Sequence, residues 1–255
     1  MEKKPHDCLN SLTLLYVEDD ADSREELAQI LKLWFANVYV AENGQAGLDR
    51  FKSTPVDIVL TDIQMPVLNG LSMSAEIRRQ VPDQAIIVLS AYNDMEYLFR
   101  AIDIGIHQYI TKPVSVERLL AKMVDMAALI HAKREQRRNQ RLLEQYRDLV
   151  DATALVCKLN VAGRITYAND KFCERTGYSK NELIGAPMSL VRGSTATNAF
   201  AEADWQAVLG GTPWSGKVTN QTRDGTAYVI GNRLFPIFNE DNQVEEVVCL
   251  TVDVA

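Results

Sequence analysis

The chain has 255 residues, 47% of them hydrophobic and 24% charged, which is enough for two modest cores and too apolar for a disordered chain. A formal net charge of −7 and a pI near 5.1 argue against nonspecific nucleic-acid binding. There is no secretory leader and no apolar run of about 18 residues, so no membrane span is expected and the expected location is cytoplasmic.

In chain order, short apolar runs at residues 12–17, 38–41, 56–61, 85–89 and 108–110 read as buried parallel strands. Helical stretches separate them, as βαβ crossovers require. Leu27, Ile30, Leu31 and Trp34 keep helical spacing after Asp22-x-x-Glu25, which reads as a capping box. Val116, Leu119, Leu120, Met123, Val124 and Ala127 repeat the pattern after Pro113. From Ile130 to about Asp151 there is no Gly or Pro and the residues are good helix formers, which predicts one continuous helix from Val116 to about Val150. Its basic run, residues 133–141, contains Glu135 and no interleaved aromatic residue, so it reads as a solvated helix face rather than a nucleic-acid or lipid site. Met123, Met126 and Ile130, then Leu142, Tyr146, Leu149 and Thr153, keep three-four spacing on either side of it, an interrupted coiled-coil seam.

Beyond about Asp151 the rhythm changes. Residues 154–159 and 164–168 read as strands joined across Asn160 to Gly163, and 217–222 and 227–238 as strands meeting at Asp224-Gly225. Residues 244–253 form a further strand, and helical pieces fall around 171–176, 180–183 and 197–209. The expected architecture is an α/β doubly wound parallel five-stranded domain (flavodoxin-like) over residues 1–128, a helical connector over 129–150, and an α+β domain with an antiparallel sheet over 151–255. Cys8, Cys157, Cys173 and Cys249 make no C-x-x-C pair and no metal spacing, and read as reduced, mostly packed thiols.

Glu18, Asp19, Asp62, Ser90 and Lys112 each sit at the carboxyl end of a predicted strand, the edge where ligands of such sheets bind. Three crowded carboxylates repel one another unless a cation joins them. Mg²⁺ suits such a set, because it keeps several waters and often completes its shell with phosphate oxygen. Lys112 offers a point charge and Ser90 a hydroxyl to a phosphoryl group, which leaves Asp62 as the nucleophile. Taken alone, the acids at residues 18–20 would be helix caps, Lys112-Pro113 an ordinary loop, and Tyr109 half-buried packing. A nucleotide binder of the same fold would present hydroxyls and amides after the first strand, where acids repel phosphate.

The run from Asp62 to Gly70 (Asp-Ile-Gln-Met-Pro-Val-Leu-Asn-Gly), the acid pair after the first strand, Ser90-Ala91, and Tyr109-Ile110-Thr111-Lys112-Pro113 resemble the receiver domain of two-component response regulators. The resemblance implies that Asp62 accepts a phosphoryl group from a phosphohistidine on a sensor histidine kinase. It implies Mg²⁺ held by Asp19, Asp62 and the backbone carbonyl of Gln64, with Glu18 acting through a metal-bound water. Ser90 and Tyr109 match the family's switch pair, and Asp20 looks like a helix start rather than a ligand. An aspartate-nucleophile phosphatase would usually carry a second Asp where Gln64 stands.

The last third resembles a PAS domain through Gly163 to Asn169, Phe172, Gly177-Tyr178-Ser179, Glu182 to Gly185, Trp214 to Gly216, Asp224-Gly225 and Pro236. Its ligand is not readable. The histidines, His6, His107 and His131, lie outside this segment and no Asn-Cys-Arg-Phe stretch occurs in it, so neither haem nor a flavin adduct is expected. Asn169 is placed to tie down the loop after its strand, Tyr178 and Trp205 either border a cavity or simply pack, and Cys173 is a packed thiol. The expected function is phosphorylation-dependent signalling, with a homodimer through the connector and the PAS domain and no direct nucleic-acid binding. Thr251 to Ala255 resembles the junction through which PAS domains enter a following helix, so a longer natural protein is expected. The alternative is the regulatory part of a cyclic-dinucleotide enzyme or of a hybrid histidine kinase.

Overall fold

Alternation of side chains across the pleat organises the first half of the chain. The computed structural model describes residues 6–90, 95–106, 108–192 and 201–252, and the chain divides into two units, Met1–Arg138 and Asn139–Ala255. In the first unit β1 (Thr13–Val17), β2 (Asn37–Ala41), β3 (Ile58–Asp62), β4 (Ala85–Ser90) and β5 (Gln108–Thr111) pair in parallel in the order β2-β1-β3-β4-β5. Leu14, Tyr16, Ile58, Leu60, Ile87 and Leu89 pack on one face with Leu31 of α1 (Ala21–Leu31) and Leu119, Met123 and Met126 of α5 (Val116–Thr153). Leu15, Val17, Val59, Ile86 and Val88 pack on the other with α2 (Gly44–Ser53), α3 (Gly70–Gln80) and α4 (Met95–Asp103). Both faces are covered, which is why these strands read as continuous apolar runs. Strand order reverses between β1 and β3, which puts the switch point at their carboxyl ends.

Two sequence readings at the first helix are corrected. The cap of α1 is Asp20, whose carboxylate accepts the Ser23 amide at 2.9 Å, so the Asp22-x-x-Glu25 box lies inside the helix it was expected to start. Trp34 is buried but follows the helix in a turn. The basic run on α5 is exposed, as expected of a solvated helix face, and three of its cations also make ion pairs. Lys133 reaches Asp83 at 2.5 Å, Arg137 reaches the same carboxylate at 3.9 Å, and Arg134 pairs with Asp57. These acids lie just before β4 and β3, so three cations of α5 are held at the sheet's amino-terminal edge. The helix itself is continuous over 38 residues, as the lack of breakers predicts.

In the second unit β6 (Leu155–Asn160), β7 (Ile165–Ala168), β8 (Trp214–Gln221), β9 (Ala227–Phe238) and β10 (Val244–Val252) form an antiparallel sheet in the order β7-β6-β10-β9-β8. Cys157, Leu159, Leu234, Val247 and Cys249 meet Phe172 of α6 (Asp170–Thr176), Leu183 of α7 (Lys180–Leu183) and Val208 of α8 (Glu202–Leu209). Gly177 ends α6 at φ 77°, a left-handed conformation that costs a glycine nothing, and its amide bonds the Cys173 carbonyl. Tyr178 and Trp205 both pack against the core, and Trp205 also borders a cavity of about 340 Å³ with Leu159, Met188 and Arg192. Ala91, His107, the 197–200 part of the expected helix, and Asp253 to Ala255 lie outside the described residues.

Asn169 does more than tie down one loop. Its buried carboxamide oxygen accepts the amides of Val156 at 3.1 Å and Phe172 at 2.9 Å, and its nitrogen donates to the carbonyls of Asp151 at 3.0 Å and Ala154 at 2.8 Å. One side chain thus joins the end of α5, the start of β6 and the first turn of α6. Asn169→Ala leaves these backbone groups without that partner, and a loss of about 2–4 kcal/mol in unfolding free energy is expected from urea titration. A loss below about 0.5 kcal/mol would show that water replaces the amide.

Candidate functional site

The carboxyl ends of β1, β3, β4 and β5 carry the chemistry-bearing side chains. Asp62 is the last residue of β3, with Oδ1 accepting the Ile63 amide at 2.6 Å and Oδ2 accepting from Lys112 Nζ at 2.6 Å. Lys112 follows β5, and its amide bonds the Ser90 carbonyl at 2.7 Å. The same ammonium bonds Glu18 Oε2 at 2.9 Å. Carboxylate oxygens of Glu18, Asp19 and Asp62 lie within 4.8 Å of one another. Glu18 is 2% exposed, Asp19 is exposed and Asp62 is half-buried, so the cluster runs from the protein interior to solvent. Ser90 ends β4 and is buried. Tyr109, opposite Val88 in the ladder, is half-buried against the core of that face. Gln64 is exposed in the loop after β3.

That loop closes tightly on the site. The Gly70 amide bonds the Ile63 carbonyl at 2.9 Å, and a Cβ on Gly70 would stand 1.9 Å from the Asp62 carbonyl oxygen, so only glycine fits there. Thr61 Oγ1 donates to that same Asp62 carbonyl at 2.9 Å.

Two contributors were not singled out from the sequence. Arg24 donates to the carbonyls of Glu18 at 2.7 Å and Asp19 at 3.0 Å, fixing the backbone of the acid pair from the first turn of α1. The buried Tyr16 hydroxyl donates to Glu18 Oε2 at 3.4 Å, and burial with the Glu18 charge raises its pKa, so it stays a neutral donor. In the sequence, Tyr16 is simply one member of an apolar run.

The charges explain the geometry. Burial pushes the Glu18 carboxyl above the usual carboxylate range and the Asp62 charge adds to this, while the Lys112 bonds oppose it only in part. Burial alone would lower the Lys112 pKa, but its bonds to Asp62 and Glu18 outweigh burial and raise it. A carboxyl raised in the folded state contributes stability that is present below its unfolded pKa and lost as pH rises through the folded value. Glu18→Gln, neutral throughout, is therefore expected to melt higher than the parent near pH 7 and to lose that advantage towards pH 4. Calorimetry at both pH values checks this, and a variant that melts lower at both would show that the Lys112 bond outweighs the burial cost. The donor set is all oxygen and crowded with negative charge, so it fits a hard divalent cation.

Residues 14–124 match the family described as response regulator receiver domain, and residues 152–255 match the PAS domain family. Over 112 residues the chain is 36% identical to a cyclic di-GMP phosphodiesterase of Thermotoga maritima, covering 44% of this chain and 30% of that protein. It is 34% identical over 110 residues to response regulator MprA of Mycolicibacterium vanbaalenii, covering 43% and 48%. The chain thus spans less than half the length of either curated relative. Among solved structures, the N-terminal domain of an uncharacterized protein from Wolinella succinogenes matches with 36% identity and a TM-score of 0.46, covering 48% of this chain and 99% of that one.

Proposed function

From a chain that carries a response regulator receiver domain followed by a PAS domain, we infer a phosphorylation-dependent signalling protein whose phosphoryl acceptor is Asp62. The observation that carries this reading is the Asp62 carboxylate, half-buried at the end of β3, in contact with the Lys112 ammonium and grouped with Glu18 and Asp19.

In the proposed reaction an Asp62 carboxylate oxygen attacks the phosphorus of a phosphohistidine on a sensor histidine kinase. The N–P bond breaks and an acyl phosphate forms. Most of the work is positioning and charge neutralisation. Lys112 already contacts the acceptor and neutralises charge on the incoming group. Glu18, Asp19, Asp62 and the Gln64 carbonyl are the proposed holders of Mg²⁺, which supplies further neutralisation of phosphoryl oxygens when bound. Arg24 and Tyr16 hold the acids in place. Ser90 and Tyr109 are the proposed switch pair, reading the new phosphoryl group from the neighbouring strands.

The division into a receiver over 1–128, a connector over 129–150 and a PAS domain over 151–255 belongs to this proposal, as do homodimerisation through connector and PAS, the absence of direct nucleic-acid contact and a cytoplasmic setting. Among the described residues no helix is long and apolar enough to cross a membrane. The full chain incubated with acetyl phosphate and Mg²⁺ should gain one phosphoryl group, about 80 Da in the intact mass spectrum, and lose it again as the acyl phosphate hydrolyses once acetyl phosphate is removed. No gain under these conditions overturns the reading.

A further inference from the structure

Cys157 on β6 and Cys249 on β10 stand directly opposite each other in the antiparallel ladder, at the centre of the PAS sheet. Directly opposed residues of such a ladder have Cα atoms about 4.5–5.5 Å apart, inside the span of about 4.4–6.8 Å that a disulfide bridges. Both side chains lie on the inner face, fully buried, and both are free thiols.

They are not ordinary core thiols. Cys249 Sγ donates to the Asn232 carboxamide oxygen at 2.9 Å, and Thr251 Oγ1 donates to the same oxygen at 3.0 Å. Asn232 is 1% exposed, and its amide nitrogen is buried with no hydrogen-bond partner. An apolar residue at position 232 would serve packing alone without leaving that polar atom unsatisfied. The neighbouring Cys249 and burial hold the Cys157 thiol well above the usual thiol range, while the charge of the Arg192 guanidinium pulls the other way.

We propose that Cys157 and Cys249 form a peroxide-oxidisable dithiol, a redox-sensing site in the PAS sheet that closes to a cross-strand disulfide. The oxidant is a small hydroperoxide, since full burial excludes bulky reagents. The thiolate of one cysteine attacks one peroxide oxygen, the O–O bond breaks, and the sulfenic acid forms with release of one water. The sulfur of the opposed cysteine then attacks the sulfenic sulfur, its proton leaves with the hydroxyl as a second water, and the S–S bond forms. Two thiols are oxidised by two electrons and one hydrogen peroxide is reduced to two waters. The site belongs to the second unit, whereas Asp62 belongs to the first, and it stands whether or not the receiver reading holds.

The test uses the full chain carrying Cys8→Ser and Cys173→Ser, so that only the pair remains. Hydrogen peroxide should remove about 2 Da from the intact mass, link the Cys157 and Cys249 peptides in a digest, and be fully reversed by dithiothreitol once the chain is unfolded in denaturant. An unchanged mass, or a gain of about 16 or 32 Da with unlinked peptides, overturns the proposal. Replacing one thiol stops the sequence half-way. Either Cys157→Ser or Cys249→Ser should gain about 16 Da as a sulfenic acid on the remaining thiol and form no disulfide. Peroxide that leaves both variants unmodified overturns the sulfenic route, and the parent mass measurement decides for the disulfide even where a variant fails to fold.

Discussion

Asp62→Asn is expected to abolish phosphoryl uptake altogether, the largest effect of any substitution in this chain. The asparagine keeps the size and the acceptor oxygen but not the nucleophilic carboxylate, and it removes one charge from a cluster whose oxygens lie within 4.8 Å of one another. Lys112→Ala should act differently. It keeps the nucleophile but removes an ammonium that bonds Asp62 at 2.6 Å and Glu18 at 2.9 Å, so uptake should slow by roughly 10²-fold and not vanish. Asp19→Asn should leave the maximal labelling intact while raising the Mg²⁺ concentration needed to reach it. Intact-mass time courses with acetyl phosphate separate the three. Full-stoichiometry labelling of Asp62→Asn would remove Asp62 from the mechanism, and a Lys112→Ala rate equal to the parent's would mean that its ammonium only relieves repulsion in the resting state.

The parallel sheet was legible because burial on both faces writes itself as uninterrupted apolar runs such as Leu14 to Val17 and Ile86 to Leu89. Where those runs end is also local, so the placement of Glu18, Asp62, Ser90 and Lys112 at one edge follows from pattern and topology together. What the sequence hides are pairings set by register and by long separations. Lys112 bonds Glu18 across 94 positions, a pairing the shared edge implies, but Arg134 meets Asp57 across 77, and nothing in the local composition marks either of those two. Asp20, which looks like a helix start in the sequence, caps α1 because β1 ends at Val17 and the chain turns at once, whereas the Asp22-x-x-Glu25 spacing points two residues further on. The opposition of Cys157 and Cys249 depends on which strand lies beside β6. That neighbour is the last strand of the chain, so cysteine spacing carries no trace of it.

Deleting two residues from α5 beyond Arg137 is expected to destroy the proposed coupling between Asp62 phosphorylation and the proposed dimerisation, whereas deleting the seven residues 139–145 should largely preserve it. The helix runs unbroken for 38 residues, about 57 Å at 1.5 Å per residue, so it transmits rotation only if its angular phase is kept. Its first part is fixed by Leu119, Met123 and Met126 in the receiver core and by the ion pairs of Lys133, Arg134 and Arg137. Beyond Arg137, Leu143, Tyr146, Leu149 and Val150 are 69%, 58%, 59% and 40% exposed, an apolar stripe at three-four spacing that suits a second copy of the same helix. Removing two residues turns everything that follows by about 200° and carries this stripe to the opposite side. Removing seven turns it by a net of about 20° and shortens the helix by about 10 Å, which keeps the face and most of the stripe's remaining contacts. Coupling energies of this kind run at about 1–3 kcal/mol, so phosphorylation should shift the parent's dimerisation constant by roughly fivefold or more. Sedimentation equilibrium of phosphorylated and unphosphorylated full chain, parent and both deletions, reads this directly. An equal shift in both deletions would make α5 a tether rather than a rotor, because a tether is indifferent to phase.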